Sequence, residues 1–155
     1  RKQRGGIMRV LLQRVQHASV RVDGAITGSI RQGFLLLVGI TPSDTEEIMK
    51  KMAGRCAQLR VFEDENGKMN RGLQDIGGSI LSISQFTLYA DCKRGRRPGF
   101  EKAARGDFAQ PMYEAFNEEL RTYGTHVETG IFGADMKVDL LNDGPVTILL
   151  DSDEW

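Results

Sequence analysis

Phe34-Leu35-Leu36-Leu37-Val38-Gly39-Ile40 is the stretch that most limits what this chain can become. It has no polar side chain, is short for a buried helix, and is closed off by Pro42 just beyond. It fits a strand covered on both faces, so the fold must place a layer on each side of a sheet. The residues before it read as a β-meander. Met8–Val15 and Ser19–Val22 are strand-like, Asp23-Gly24 is a hairpin turn, Ala25–Ile30 returns, and Gln32-Gly33 turns again.

Helical spacing takes over after Pro42. Ser43 with Glu46 three residues on has the pattern of a capping box, and Ile48, Met52, Cys56 and Leu59 repeat along one face to about residue 60. Such a stripe belongs to the core. Val61-Phe62 and Lys68-Met69 flank Glu65-Asn66-Gly67 as a hairpin, and Gly77-Gly78 leads into a strand over Ser79–Leu88. After a glycine- and arginine-rich loop, Asp91–Gly99, a second helix runs from Phe108 to Tyr123, with Pro111 expected in its first turn and Gly124 stopping it. His126–Phe132, Met136–Leu141 and Val146–Leu150 complete the strands. The fold class is α+β: a curved, largely antiparallel, barrel-like sheet system with two outer helices in a single domain.

At 155 residues the chain is long enough to bury roughly two-thirds of its unfolded surface in one domain. No apolar run reaches the roughly 20 residues of a membrane span, and no signal-peptide pattern is visible, which points to the cytoplasm. Residues 1–7 resemble a vector remnant, leaving 8–155 as the domain proper, with Met8 as the natural start. Without Arg1, Lys2 and Arg4, the 21 basic residues become 18 against 21 acidic, a net charge of −3. A general nucleic-acid coater carries a basic excess, so DNA is not an expected partner and any RNA contact must be local. Cys56 fits the core and Cys92 a polar loop, as free thiols in a reducing compartment. His17 and His126 lack a neighbouring ligand cluster, so neither a metal nor another cofactor is implied.

Three segments carry chemistry. The first is Asn142-Asp143-Gly144-Pro145-Val146-Thr147, where a proline without an amide hydrogen interrupts strand-like sequence; the break frees backbone carbonyls to face something other than a ladder. The second is Ser84-Gln85-Phe86-Thr87. Continued as a strand, it puts Leu81, Ile83, Gln85 and Thr87 on one face, which turns from aliphatic to polar at its end. The Thr87 hydroxyl can act as nucleophile, as oxyanion donor or as positioner of water. A nucleophilic threonine needs a base, and none stands at a recognisable spacing, so positioning is favoured, with backbone N–H groups near Gln85–Thr87 as further donors. The third is Lys93-Arg94-Gly95-Arg96-Arg97-Pro98, suited to a phosphate backbone or simply to solvent. Arg14 is unusual among apolar neighbours. Its stem can cover core, or its fork of donors can hold a neighbouring backbone.

Together these segments resemble the D-aminoacyl-tRNA deacylase family. Leu88-Tyr89-Ala90-Asp91, Gln13-Arg14-Val15, Lys68-Met69-Asn70 and Gly130-Ile131-Phe132-Gly133-Ala134-Asp135-Met136 extend the likeness over Met8 to Ser152. One departure is Gly99, where family members more often have serine. The resemblance implies a homodimeric hydrolase that cuts the ester joining a D-amino acid to the 3′-terminal ribose of tRNA. It implies a cis Gly144-Pro145 bond reaching into the partner subunit's site, where it rejects L-aminoacyl groups while D-aminoacyl and glycyl groups pass. It further implies that Arg14 braces this motif and that Ser84, Gln85, Phe86 and Thr87 form the opposite wall, with Thr87 at the position of the family's catalytic threonine. For such a substrate Lys93, Arg94, Arg96 and Arg97 are the expected tRNA contacts. The ribose 2′-hydroxyl is the alternative activator of water, and the absence of a base favours it. Two other readings compete: a binding module for the tRNA 3′ end without turnover, and a conventional Ser, Thr or Cys hydrolase of small esters.

Overall fold

The computed structural model describes residues 7–155; residues 1–6, most of the segment read as a vector remnant, lie outside the described residues. Strand β1 is one element, Arg9–Val22, where two separate strands are expected from sequence. It pairs antiparallel with β2 (Ala25–Ile30) through its second half and with β3 (Gly33–Gly39) through its first half. On its other side it pairs along nearly its whole length with β8 (Lys137–Asp151). Beyond β3 the sheet continues in parallel through β6 (Ser79–Ser84) to β7 (His126–Thr129). The sheet then curls until β2 approaches β7: Ser29 N donates to Glu128 Oε1 at 3.3 Å, and a Cβ on Gly28 would stand 2.6 Å from the Thr129 carbonyl. The result is a nearly closed, mostly antiparallel barrel.

The apolar β3 explains the layering. Phe34, Leu36 and Val38 enter a core beneath α1 (Glu46–Gln58) and α3 (Gly106–Arg121), with Met52, Cys56, Phe116 and Leu120 fully buried there. Leu35, on the opposite face, joins Val15, Ala18, Val20, Leu81 and Ile83 in a second core inside the barrel. Each fully buried side chain of this size contributes about 1.5–3 kcal/mol. Burial pushes the Cys56 thiol up, out of reach of ionisation. Among the described residues no helix is long and apolar enough to cross a membrane.

Several boundaries differ from the sequence reading for local reasons. The cap of α1 is Thr45, whose Oγ1 accepts from Ile48 N at 3.2 Å, rather than Ser43. Pro111 lies one turn inside α3, because the helix begins earlier, at Gly106. Besides the two outer helices there is a one-turn α2 (Leu73–Ile76), too short to show a periodicity. The Glu65–Gly67 hairpin forms, between β4 (Phe62–Glu63) and β5 (Met69–Arg71). Strand β6 stops at Ser84, where its pairing with β3 ends at Val38, and Phe86–Tyr89 winds into a 3-10 turn. Strand β7 ends at Thr129 instead of running to Phe132.

Before α1, a tight turn buries a carboxylate: Thr41 N donates to Asp44 Oδ2 at 2.8 Å, while Asp44 Oδ1 is buried without a partner among the described residues. Burial pushes this carboxyl up to about 6, against the downward pull of its bonds to Thr41. The folded-state value exceeds the reference 3.8, so the folded form holds the proton more tightly, and the group's cost to stability develops as pH rises from about 4 to 6. Asp44→Asn keeps an acceptor for Thr41 N and removes the charge. Its stability relative to the parent is therefore expected to improve by up to about 3 kcal/mol between pH 4 and pH 8. Urea unfolding of both proteins at pH 4, 6 and 8 measures this, and a difference constant across the range would contradict it.

Candidate active site

A cleft of about 320 Å³ opens where β3 and β6 end, against the start of α3 and the segment after β7. Ser84, Gln85 and Phe86 line it, as the sequence reading placed them, together with Ile83, Phe132 and Met136. The Phe86 ring is half exposed and meets Phe100 edge-on at 5.0 Å. Thr87 is exposed and does not line the cleft within the single chain. The end of β6 is the reason. The 3-10 turn abandons the period of two, so Gln85 and Thr87 do not continue the face of Leu81 and Ile83. Instead, the Gln85 side-chain amide donates to Thr87 Oγ1 across the turn. An amide is no base, so this hydroxyl is oriented but not activated. Gln85 N donates to Val38 O at 2.8 Å, which removes that amide from the oxyanion donors expected around Gln85–Thr87.

Phe132 and the residues after it form the wall that sequence reasoning left unassigned. Their signal was present as an apolar Ile-Phe pair in a polar loop, closed by Gly133 at φ +78°.

The Gly-Pro segment stands elsewhere. Gln13 pairs with Thr147 and Val15 with Asn142, so residues 143–146 bulge out opposite the single residue Arg14. The break expected in this region is thus a bulge within one continuous strand. Gly144–Pro145 is cis and Gly144 has φ +151°. A Cβ on Gly144 would come within 2.5 Å of Val146 N, so only glycine fits there.

Two side chains hold the bulge. Arg14, buried at 6% exposure, donates from Nε to the Asp143 carbonyl at 2.8 Å and from Nη1 to the Val61 carbonyl at 2.5 Å, with its guanidinium over the Phe62 ring. Asn142 spans the base: its Oδ1 accepts from Val146 N at 2.8 Å, and its Nδ2 donates to Val146 O at 3.1 Å and Gln13 Oε1 at 3.2 Å. The bracing by Asn142 and Gln13 was not assigned from sequence.

The basic loop is clasped at its neck. Asp91 N donates to Gly99 O at 2.7 Å, Gly99 N returns the bond to Asp91 O at 2.8 Å, and Asp91 Oδ1 accepts from Lys93 N at 3.0 Å. The exposed Lys93, Arg94, Arg96 and Arg97 project beyond this clasp, outside the cleft lining. At Gly99 a Cβ would meet only the Glu101 carboxylate, at 2.8 Å, so a serine there would need no more than a side-chain shift.

The model of the D-Tyr-tRNA(Tyr) deacylase family matches residues 11–151. The chain belongs to that family. It is 58% identical over 147 residues to the D-aminoacyl-tRNA deacylase of Thermus aquaticus, covering 95% of this chain and 97% of the relative. It is 59% identical over 145 residues to the D-aminoacyl-tRNA deacylase of Bacillus cytotoxicus, covering 94% and 99%. A solved structure of the c-Myc DNA Unwinding Element Binding Protein superposes with a TM-score of 0.86 at 41% identity, over 92% of this chain and 97% of that one. The deacylase family's segments in this sequence thus form two separate structures: a cleft walled by Ser84–Phe86 and a rigid bulge carried on β8.

Proposed function

We propose that the protein hydrolyses the ester of D-aminoacyl-tRNA and spares L-aminoacyl-tRNA, a proofreading step in translation. The observation that carries this reading is the presence, in a chain so close to named deacylases, of both a cleft walled by Ser84–Phe86 and a braced bulge at 143–146. An aminoacyl ester is already activated, so placement and stabilisation of the oxyanion are the main demands on the protein. With an amide and, among the described residues, no base hydrogen-bonded to Thr87, the adjacent ribose 2′-hydroxyl of the substrate is the group that directs the attacking water. The clasped Lys93–Arg97 loop suits the phosphates near the tRNA end, which fix position without reading sequence.

Handedness is sorted by exclusion. D and L residues present the same groups in mirror order, so attraction to a side chain cannot separate many amino acids by chirality. A stiff main-chain wedge near the substrate Cα admits hydrogen but not Cβ. Glycine, with two hydrogens, passes.

The wedge comes from a second copy in this reading. No residue of 143–146 lines the chain's own cleft. Arg14, opposite the bulge, is four residues along β1 from Val10, whose partner Val38 borders the cleft, a separation of roughly 14 Å. Among the described residues strand β8 pairs only with β1, none of its residues is buried, and Leu141 and Leu149 are exposed along it, outside the cleft. A long, apolar, unpaired edge is what a homodimer covers.

The test is deacylation of D-Tyr-tRNA and L-Tyr-tRNA by the same preparation, with chelator present. The D ester is expected to be cleaved at least about 100-fold faster, and Thr87→Ala to retain activity within about tenfold of the parent. Equal rates on the two esters would remove the wedge, and complete loss in Thr87→Ala with tRNA binding intact would restore the nucleophile. Saturable binding of the aminoacyl end without cleavage would favour the binding module.

A further inference from the structure

Tyr89 ends the 3-10 turn that carries Gln85, Phe86 and Thr87, yet its ring points away from the cleft and is 2% exposed. Its seat is built around it. A Cβ on Gly39 would stand 2.7 Å from Tyr89 Cε2, so the last residue of β3 must lack a side chain for the ring to lie there. The Tyr89 hydroxyl accepts from Arg9 N at 3.0 Å, and its one proton is shared between the carbonyls of Gly39, at 2.9 Å, and Ile7. Arg9 then closes the arrangement. Its Nη1 donates to the Leu88 carbonyl at 3.0 Å, its Nε to Asp151 Oδ2 at 3.1 Å, and its guanidinium stacks over the Tyr89 ring. The turn behind the cleft wall is therefore pinned from below to β1 and β3, and through Asp151 to the end of β8. Nothing in this cluster touches the cleft, so catalysis by direct contact does not explain why so many bonds converge on one buried hydroxyl.

We propose that Tyr89, fixed by Arg9 and seated on Gly39, is the positioning residue that holds the Ser84–Thr87 wall in register with the reacting ester. The inference rests on the deacylase reading above and deepens it. The wall leaves β6 at Ser84, and among the described residues its backbone ties to the sheet are Gln85 N to Val38 O and the Leu88–Arg9 bond. A 3-10 turn is a weak element by itself. Without the Tyr89 strut it shifts, and a displacement of about 1 Å at a reacting centre costs up to about 100-fold in rate.

Tyr89→Phe keeps the ring in its seat and removes only the hydroxyl. It is expected to lower kcat on D-Tyr-tRNA by about tenfold while KM and the D-over-L ratio stay within about twofold, because the basic loop is clasped on itself between Asp91 and Gly99 and the bulge is held by Arg14 and Asn142. Amide hydrogen exchange of residues 86–90 in the free protein is expected to accelerate in the variant, together with the Arg9 amide that loses its acceptor, while the amides of β1 beyond Arg9 and those of β3 keep their protection. Arg9→Ala should reproduce both effects, and Arg9→Lys, which keeps a donor for Leu88 O, should recover part of kcat. An unchanged kcat in a folded Tyr89→Phe, or unchanged exchange at 86–90, would overturn the assignment. So would kcat falling only in proportion to the folded fraction. If Tyr89→Phe does not fold, the Arg9 pair decides by the same readouts. Failure of the parent protein to cleave D-Tyr-tRNA would count against the deacylase reading, whereas the exchange measurement judges the strut without any substrate.

Discussion

Arg14→Ala is expected to collapse chiral discrimination, lowering the ratio of D- to L-Tyr-tRNA hydrolysis by about 100-fold while the D rate changes little. The magnitude follows from the bonds lost. The guanidinium donates to the carbonyls of Asp143 and Val61, one on the bulge and one at the base of the β4–β5 hairpin. Hydrogen bonds from a charged donor contribute about 1.5–3 kcal/mol each. Exclusion of an L residue can be no stronger than the resistance of the wedge to being pushed aside. Removing the one side chain that stands opposite all of 143–146 softens that resistance by about 3 kcal/mol, or roughly 100-fold. The loss should appear as a gain of L hydrolysis, because a retreating wedge opens space without removing any group from the 84–87 wall. Arg14→Lys separates charge from geometry. A lysine keeps the cation but cannot serve two carbonyls with a fixed fork, so an intermediate ratio is expected. Single-turnover rates on both esters for the three proteins give the ratio, and urea unfolding corrects for the stability lost with a buried arginine. An unaltered ratio in a folded Arg14→Ala would detach the bulge from selection.

The layering was legible in sequence because it depends on side-chain type alone. An apolar run without alternation demanded cover on both faces, and Phe34 and Leu35 do enter different cores. The Ile48–Cys56 stripe likewise needed only a period, and Met52 and Cys56 lie where it put them. Misreadings fall where tertiary pairing overrides local preference. Ser79–Leu88 is strand-like throughout, but β3 supplies a pairing partner only as far as Val38, so the chain coils after Ser84. The Gly-Pro break was correctly seen as a place where ladder bonds fail. That the strand resumes on the same partner, with residues 143–146 extruded, depends on Arg14 and Asn142 satisfying the freed backbone groups from outside the segment.

The site was legible in part for the same reason. Ser84 and Gln85 were singled out because polar residues ended an aliphatic strand, and they do line the cleft, whereas Phe132 and Met136 enter it from a turn whose course no period describes. Tyr89 looked like any aromatic following a strand. Its importance is carried by Arg9, distant in sequence, and by the missing Cβ of Gly39, and neither has a pattern to read.

The origin of the wedge can be tested by mixing two disabled chains. An Ala134→Trp chain carries an intact bulge and a filled cleft, since Ala134 lines that cavity; alone it should cleave neither ester. An Arg14→Ala chain carries an open cleft and a slack bulge; alone it should cleave both. With Ala134→Trp in about tenfold excess, random exchange pairs nearly every Arg14→Ala chain with a partner whose bulge is firm. If the bulge acts across subunits, L hydrolysis per Arg14→Ala chain falls by about tenfold, the limit set by the chains still paired with one another, while D hydrolysis persists. If it acts within its own chain, the excess partner changes nothing, because the slack bulge stays with the open cleft. Leu149→Asp supplies the control. Leu149 is 52% exposed on the outer edge of β8, so a carboxylate there is harmless to a single chain but costs several kcal/mol once a second copy covers it. Placed in both chains, it is expected to abolish the rescue and to halve the sedimenting mass. Rescue that survives in chains sedimenting as monomers would refute action across a β8 interface.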